Sequence, residues 1–292
     1  MRDGWPVRMF RWPAESAKGA ILFIGGRGDI IEKYLEAFAH WHAAGWSVAA
    51  FDWRGQGGSG RFLADPMAGH TAGFSVWIDD LAEIWRRWSE KATGPKVAVG
   101  HSMGGHLLLR AVAERRIDPD ALALVSPMLG FETKPLPLSM VAGLVGLLAR
   151  TRLGKRMAWK TNERPALPGA SRQLFLTSDA ERYADETWWK SEKPELALGP
   201  PTIGWLAEAY SSCVSLAGSK ALAEVAIPIL MLGTDGDRLV SPRAIRQVAA
   251  KLPTARLHMF GPEVAHEILR EADGPRSAAL SEIDDLLAEL PR

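Results

Sequence analysis

Lys96-Val97-Ala98-Val99-Gly100-His101-Ser102-Met103-Gly104-Gly105-His106 is the stretch whose reading decides the fold. A short apolar run reads as a buried strand and stops at Gly100. Gly100-His101-Ser102-Met103-Gly104 then matches G-x-S-x-G, and His106 to Arg110 is compatible with a helix. A serine between glycines at a sharp strand-to-helix turn is forced into a strained backbone that presents its hydroxyl, while the glycines let strand and helix close up. The five-residue pattern alone is weak, because 28 of the 292 residues are glycine and a glycine-rich turn can hold an ordinary serine. The strand before it and the helix after it make Ser102 a candidate nucleophile.

Outward from this turn, short apolar runs alternate with longer amphipathic stretches, as in a mostly parallel sheet with helices on both faces. Val7 to Trp12, Ala20 to Ile24, Trp46 to Phe51, Ala121 to Val125, Ile229 to Leu232 and Arg256 to Phe260 read as further strands. Helical spacing recurs through Ile31, Tyr34, Leu35, Phe38 and Trp41, and through Trp77, Leu81, Ile84, Trp85 and Trp88. Between Pro127 and Val225 the rhythm fails. No β-run is evident there, and Pro135, Pro137, Pro165, Pro168, Pro194, Pro200 and Pro201 break up helical pieces. The expected organisation is a core of residues 1–127 and 226–292 with a helical insertion at 128–225. Such an insertion sits over the carboxyl edge of the sheet, where open α/β sheets place their ligands.

A serine hydroxyl needs a base at neutral pH, and the base needs an orienting carboxylate. In this arrangement the chain order is Ser, then Asp or Glu, then His. His101 lies in the turn itself, His106 lies one turn into the following helix, and His258 falls inside a strand. His266 follows that strand after a short loop and is the expected base. After the strand Ile229 to Leu232, Gly233-Thr234-Asp235-Gly236-Asp237 offers two acids. Asp237 is favoured, because Leu239, Val240 and Pro242 anchor the chain behind it, whereas Asp235 suits a turn-capping role. The oxyanion hole should combine the backbone N–H of Met103 with one from the loop Gly25-Gly26-Arg27-Gly28. That loop lacks G-x-G-x-x-G spacing. No P-loop or zinc-type spacing occurs elsewhere, so no cofactor and no metal are expected.

Charge narrows the partners. Lys and Arg number 35 against 34 Asp and Glu, with no basic tail, which argues against nucleic acid. A single cysteine, Cys213, forms no internal disulfide and fits a cytoplasmic, reducing compartment. Leu136 to Ala149, flanked by Lys134 and Arg150, is apolar nearly all round but too short to span a bilayer. It reads either as a helix buried in the insertion or as a peripheral membrane contact.

Taken together, Gly100-His-Ser-Met-Gly-Gly105, Asp52-Trp-Arg-Gly-Gln-Gly-Gly-Ser-Gly-Arg61 and Asp237-Arg-Leu-Val240 resemble the lysophospholipase and monoacylglycerol lipase branch of the α/β-hydrolases. Arg61-Phe-Leu-Ala-Asp-Pro66, Gly69-His70, Phe74 and Asp79-Asp80-Leu81 are similar to bacterial lysophospholipases in particular. The resemblance implies an eight-stranded core, a helical cap, a triad of Ser102, Asp237 and His266, and a single-acyl lipid ester as substrate. One departure stands out. Many monoacylglycerol lipases begin the oxyanion loop with His-Gly, where this chain has Gly25-Gly26. Arg27 aligns with their donor, and bacterial lysophospholipases are similar to this chain in having Gly-Arg. Arg27 is therefore a candidate both for the oxyanion hole and, through its side chain, for binding substrate phosphate; the bland alternatives are an ion pair with Asp29 or Glu32, or simple exposure. The competing functions are a small-ester or peptidase-like hydrolase, and a ligand-binding scaffold without catalysis.

Overall fold

The computed structural model describes residues 1–160 and 172–291; Pro165 and Pro168 lie outside them. Seven strands form one sheet: β1 (Met9–Trp12), β2 (Gly19–Ile24), β3 (Trp46–Phe51), β4 (Lys96–His101), β5 (Ala121–Val125), β6 (Ile229–Thr234) and β7 (Ala255–Phe260). Their order is β1-β3-β2-β4-β5-β6-β7. Only β1 runs antiparallel, against β3.

The period-2 geometry of a strand sends alternate residues of β2 to opposite faces. Ala20, Leu22 and Ile24 pack with α2 (Phe74–Ser89) and α3 (Met103–Ala113), while Ile21 and Phe23 pack with α1 (Leu35–Ala43) and the C-terminal helix Asp273–Ala288. Both faces are covered, so the central strands β2 and β5 are apolar and buried throughout, whereas the edge strand β7 keeps Arg256 and His258. Tryptophan serves this packing: Trp41 on one face and Trp77 on the other have no exposed surface.

The resemblance implied eight strands, whereas the described residues hold seven. The chain before β1 spends its donors elsewhere. The indole N–H of Trp5 donates to the Ser59 carbonyl, and the Arg8 amide to Ser59 Oγ. Pro6 has no N–H to offer a ladder. The same ties explain why β1 begins at Met9 and not at Val7.

Between β5 and β6 the described residues hold helices and no strand: α4 (Leu138–Ala149), α5 (Gln173–Leu176), α6 (Ala180–Glu192) and α7 (Ile203–Gly218), with short 3-10 turns. The chain then resumes the core with β6, α8 (Pro242–Ala249), β7 and α9, the C-terminal helix already described. Met67 to Gly69 pairs with Gly199 to Thr202, stitching the inserted segment to the core. α4 lies on α7 but buries none of its residues, which corrects the reading of Leu136 to Ala149 as a buried helix. Its flank faces water because α7 is its one large packing partner among the described helices.

Candidate active site

Every candidate residue stands at the carboxyl end of a parallel strand. Ser102 follows β4 with φ 51° and ψ −117°, a conformation costing a side-chain-bearing residue on the order of 1–3 kcal/mol. Hydrogen bonds hold it there: the Ser102 amide donates to the Val125 carbonyl at 2.9 Å, and the Met128 amide to the Ser102 carbonyl at 3.0 Å. Gly104 has to be glycine, since a Cβ would stand 2.3 Å from the Ile24 carbonyl oxygen. A Cβ on Gly26 would stand 2.9 Å from the Ser102 Cβ, so the loop after β2 lies directly against the serine.

Asp237 and His266 are brought together from the ends of β6 and β7. His266 Nδ1 is 2.6 Å from Asp237 Oδ2, with both side chains buried. An ionised carboxylate only accepts, so Nδ1 carries the proton and Nε2 is left as the basic nitrogen. Asp237 Oδ1 accepts from the amides of Leu239 and Val240 at 2.8 and 2.9 Å, the loop anchoring expected from sequence. Burial disfavours the imidazolium, but the charge and hydrogen bond of Asp237, then Glu267 and Asp29, outweigh it. His266 is thereby raised above the ordinary histidine value. Asp235 instead forms a surface pair with Arg246 at 2.7 and 2.9 Å, not a turn cap. His258 meets Glu282, and His106 meets Ser212, so neither competes as the base.

Three successive amides in the loop after β2 differ. Gly26 N–H donates to Asp29 at 2.6 Å and Gly28 N–H to Gln56 at 2.6 Å. The Arg27 amide between them meets no acceptor among the described residues, and Met103, first in α3, has no partner within its helix. Free amides beside a strained serine are what an oxyanion site requires.

Ser102, His266, Gly26 and Arg27 line one cavity of about 500 Å³. Its remaining wall is largely apolar and aromatic, with Phe131, Phe175, Leu176, Trp205, Leu206 and Tyr210.

A family model described as "Serine aminopeptidase, S33" matches residues 15–273. The chain belongs to this family. It is a hydrolase with the α/β-hydrolase fold. It is 32% identical to "Lysophospholipase L2" of Escherichia coli (strain K12) over 97% of this chain and 84% of that one. To "Probable lysophospholipase L2" of Haemophilus influenzae it is 25% identical, covering 94% and 85%. In fold it is similar to a monoacylglycerol lipase of Paleococcus ferrophilus, with a TM-score of 0.74, 18% identity, and 97% and 99% coverage.

Sequence reasoning missed a buried charge cluster under this hydrolase's cavity. Lys33 reaches Asp29 and Glu267 at 2.6 Å and Glu186 of α6 at 3.1 Å. Arg270, Arg172 and Lys190 also converge on Glu186. Burial opposes ionisation of the three carboxylates, but Lys33 and its companions hold all three below the usual range. The cluster has a reach into the site. Asp29 accepts from Gly26, Tyr34 bonds both Asp29 and His101, and the His101 ring lies 4.8 Å from that of His266. Only the short spacings of Asp29 and Lys33, Glu186 and Lys190, and Glu267 and Arg270 are visible in sequence, and surface pairs share them.

Proposed function

We propose that this protein is a carboxylic-ester hydrolase that cleaves single-acyl lipids through an acyl-enzyme on Ser102. Ser102 Oγ attacks the ester carbonyl while His266 Nε2 takes its proton and then delivers it to the leaving alcohol. Asp237 orients the ring and stabilises the imidazolium. The amides of Met103 and Arg27 hold the oxyanion, and water, activated by His266, releases the fatty acid.

The observation that carries this reading is the buried Asp237–His266 pair, opening on the cavity that also holds Ser102 on its strained turn. The aromatic and aliphatic wall suits one acyl chain, and the names of the similar lysophospholipases and monoacylglycerol lipases point the same way. A fluorophosphonate probe should label Ser102; absence of labelling in folded protein would return the scaffold reading. A panel of lysophospholipids, monoacylglycerols, diacyl lipids and short nitrophenyl esters sets the substrate. Preference for the short esters would favour a general esterase.

The inserted segment at 128–225 acts in this reading as a cap that meets the lipid surface through α4. Met140, Leu144, Leu147 and Leu148 are exposed there, Leu147 by 63%. Arg150, Arg152, Lys155 and Arg156 follow within a few residues, the basic rim that suits anionic headgroups. No described helix is long and apolar enough to cross a membrane.

A further inference from the structure

Arg27, half-buried, differs from the other cations gathered at this cavity. Neither ion pair read from sequence forms: Asp29 is occupied by Lys33 and His101, and Glu32 by Arg8. Among the described residues its guanidinium forms no ion pair. Nη2 donates to the Gly199 carbonyl, and the group lies over the Trp205 ring at 5.4 Å. Nε is buried without an acceptor. Nη1 has no hydrogen bond among the described residues, and Arg27 lines the cavity together with Ser102 and His266.

The cavity wall holds a second guanidinium, Arg172, whose charge acts on Arg27. Burial first, and then Arg172, push the Arg27 guanidinium down to about 9. The neighbouring cluster has no negative charge to spare, since Lys33, Arg172, Lys190 and Arg270 already share Asp29, Glu186 and Glu267. The indole N–H groups of Trp159 and Trp205, two further residues of the wall, also lack acceptors. Asp29 and Glu267 of the wall are already paired, so a half-buried cation without a carboxylate, beside unpartnered indole donors in an otherwise largely apolar wall, is complementary to a ligand that carries negative charge and accepts.

We infer that the Arg27 side chain is the receptor for an anionic phosphate group on the substrate, and selects phosphate-bearing single-acyl lipids over neutral ones. The inference rests on the proposed lipid-ester reading. In its backbone Arg27 serves the oxyanion, and in its side chain the headgroup. The planar fork offers phosphate two parallel hydrogen bonds where lysine would offer a point charge.

Binding of non-hydrolysable ether lipids tests this without turnover. An ether-linked lysophosphatidic acid and the matching alkylglycerol are titrated into the wild-type protein, Arg27→Met and Arg27→Lys, with inorganic phosphate as a third ligand. Thermal melts verify folding. Arg27→Met should weaken the phospholipid ether about ten- to a hundred-fold more than the neutral ether, and Arg27→Lys should recover part of that preference. The hydrolysis ratio of lysophospholipid to monoacylglycerol should fall in parallel. Equal weakening of both ethers would mean that Arg27 only secures the Gly199 segment, and overturns the inference. No change in either ether overturns it as well. Inorganic phosphate binding as tightly as the phospholipid ether, and lost in Arg27→Met, would make the ligand free phosphate and not a headgroup. Failure of both ethers to bind the wild-type protein removes the lipid reading itself, and this inference with it.

Discussion

The two walls of the cavity are held in place by different means. On the sheet side, Ser102, Asp237, His266 and the Arg27 amide each stand within a few residues of a strand end, fixed by backbone hydrogen bonds and by glycines that admit no side chain. On the other side, Trp205, Leu206 and Tyr210 come from α7, which reaches the core through side chains and through the short pairing at Gly69 and Pro201, while α5 brings Phe175 and Leu176, whose carbonyls accept from the amides of His266 and Glu267. A wall set by backbone keeps reacting atoms within the tolerance that catalysis demands. The α7 part of the other wall, set largely by side chains, can be reshaped without disturbing the chemistry, so it suits recognition.

If this division holds, the largest effects belong to the sheet wall and fall on every substrate. Ser102→Ala or His266→Ala should lower kcat roughly a million-fold, because groups acting as a unit fail together. Asp237→Asn should cost about ten-thousand-fold, while Asp235→Asn, which loses only a surface pair with Arg246, should keep most activity. Steady-state kinetics of the purified variants decide it, and a reversal of the two aspartates would break the assignment.

Next comes the joint between the walls. Lys33→Met takes the shared cation from three buried carboxylates, leaving Glu186 and Glu267 to Arg270 and Asp29 to Tyr34 and His101, and should destabilise the fold by about 3–5 kcal/mol, read by urea denaturation. Arg27→Met strands none and should cost less. Equal losses would erase the contrast between the cation that knits the structure and the one left for a ligand.

A smaller effect concerns pH. The base works only as free imidazole, and Asp237, Glu267 and Asp29 raise His266 above the ordinary histidine value. The acidic limb of kcat/KM should therefore lie above that value, with activity lost as pH falls through it. Glu267→Gln removes one of the raising charges and should move the limb to lower pH. A limb that stays in place would exclude the cluster from any electrostatic hold on His266.

The smallest effect is on the outer surface of the insertion. Leu144→Glu places a charge on the exposed face of α4 and should reduce flotation with anionic liposomes, leaving hydrolysis of a dispersed short ester nearly intact. Equal flotation of both proteins would discard the membrane contact.

Sequence alone was sufficient for the features whose cause is local. A strand, two glycines and a helix around Ser102 dictate the sharp turn, because backbone strain and close approach depend on near neighbours. Strand order along the chain and the anchoring residues Leu239 and Val240 picked out His266 and Asp237 for the same reason. Only the tertiary structure decided which charges are answered. Lys33 meets Glu186 and Glu267 from over a hundred and fifty positions away, a partnership that no spacing records. It also decided that one flank of α4 faces water and that Arg27 has no carboxylate partner among the described residues, since burial and pairing are set by what the rest of the chain brings alongside.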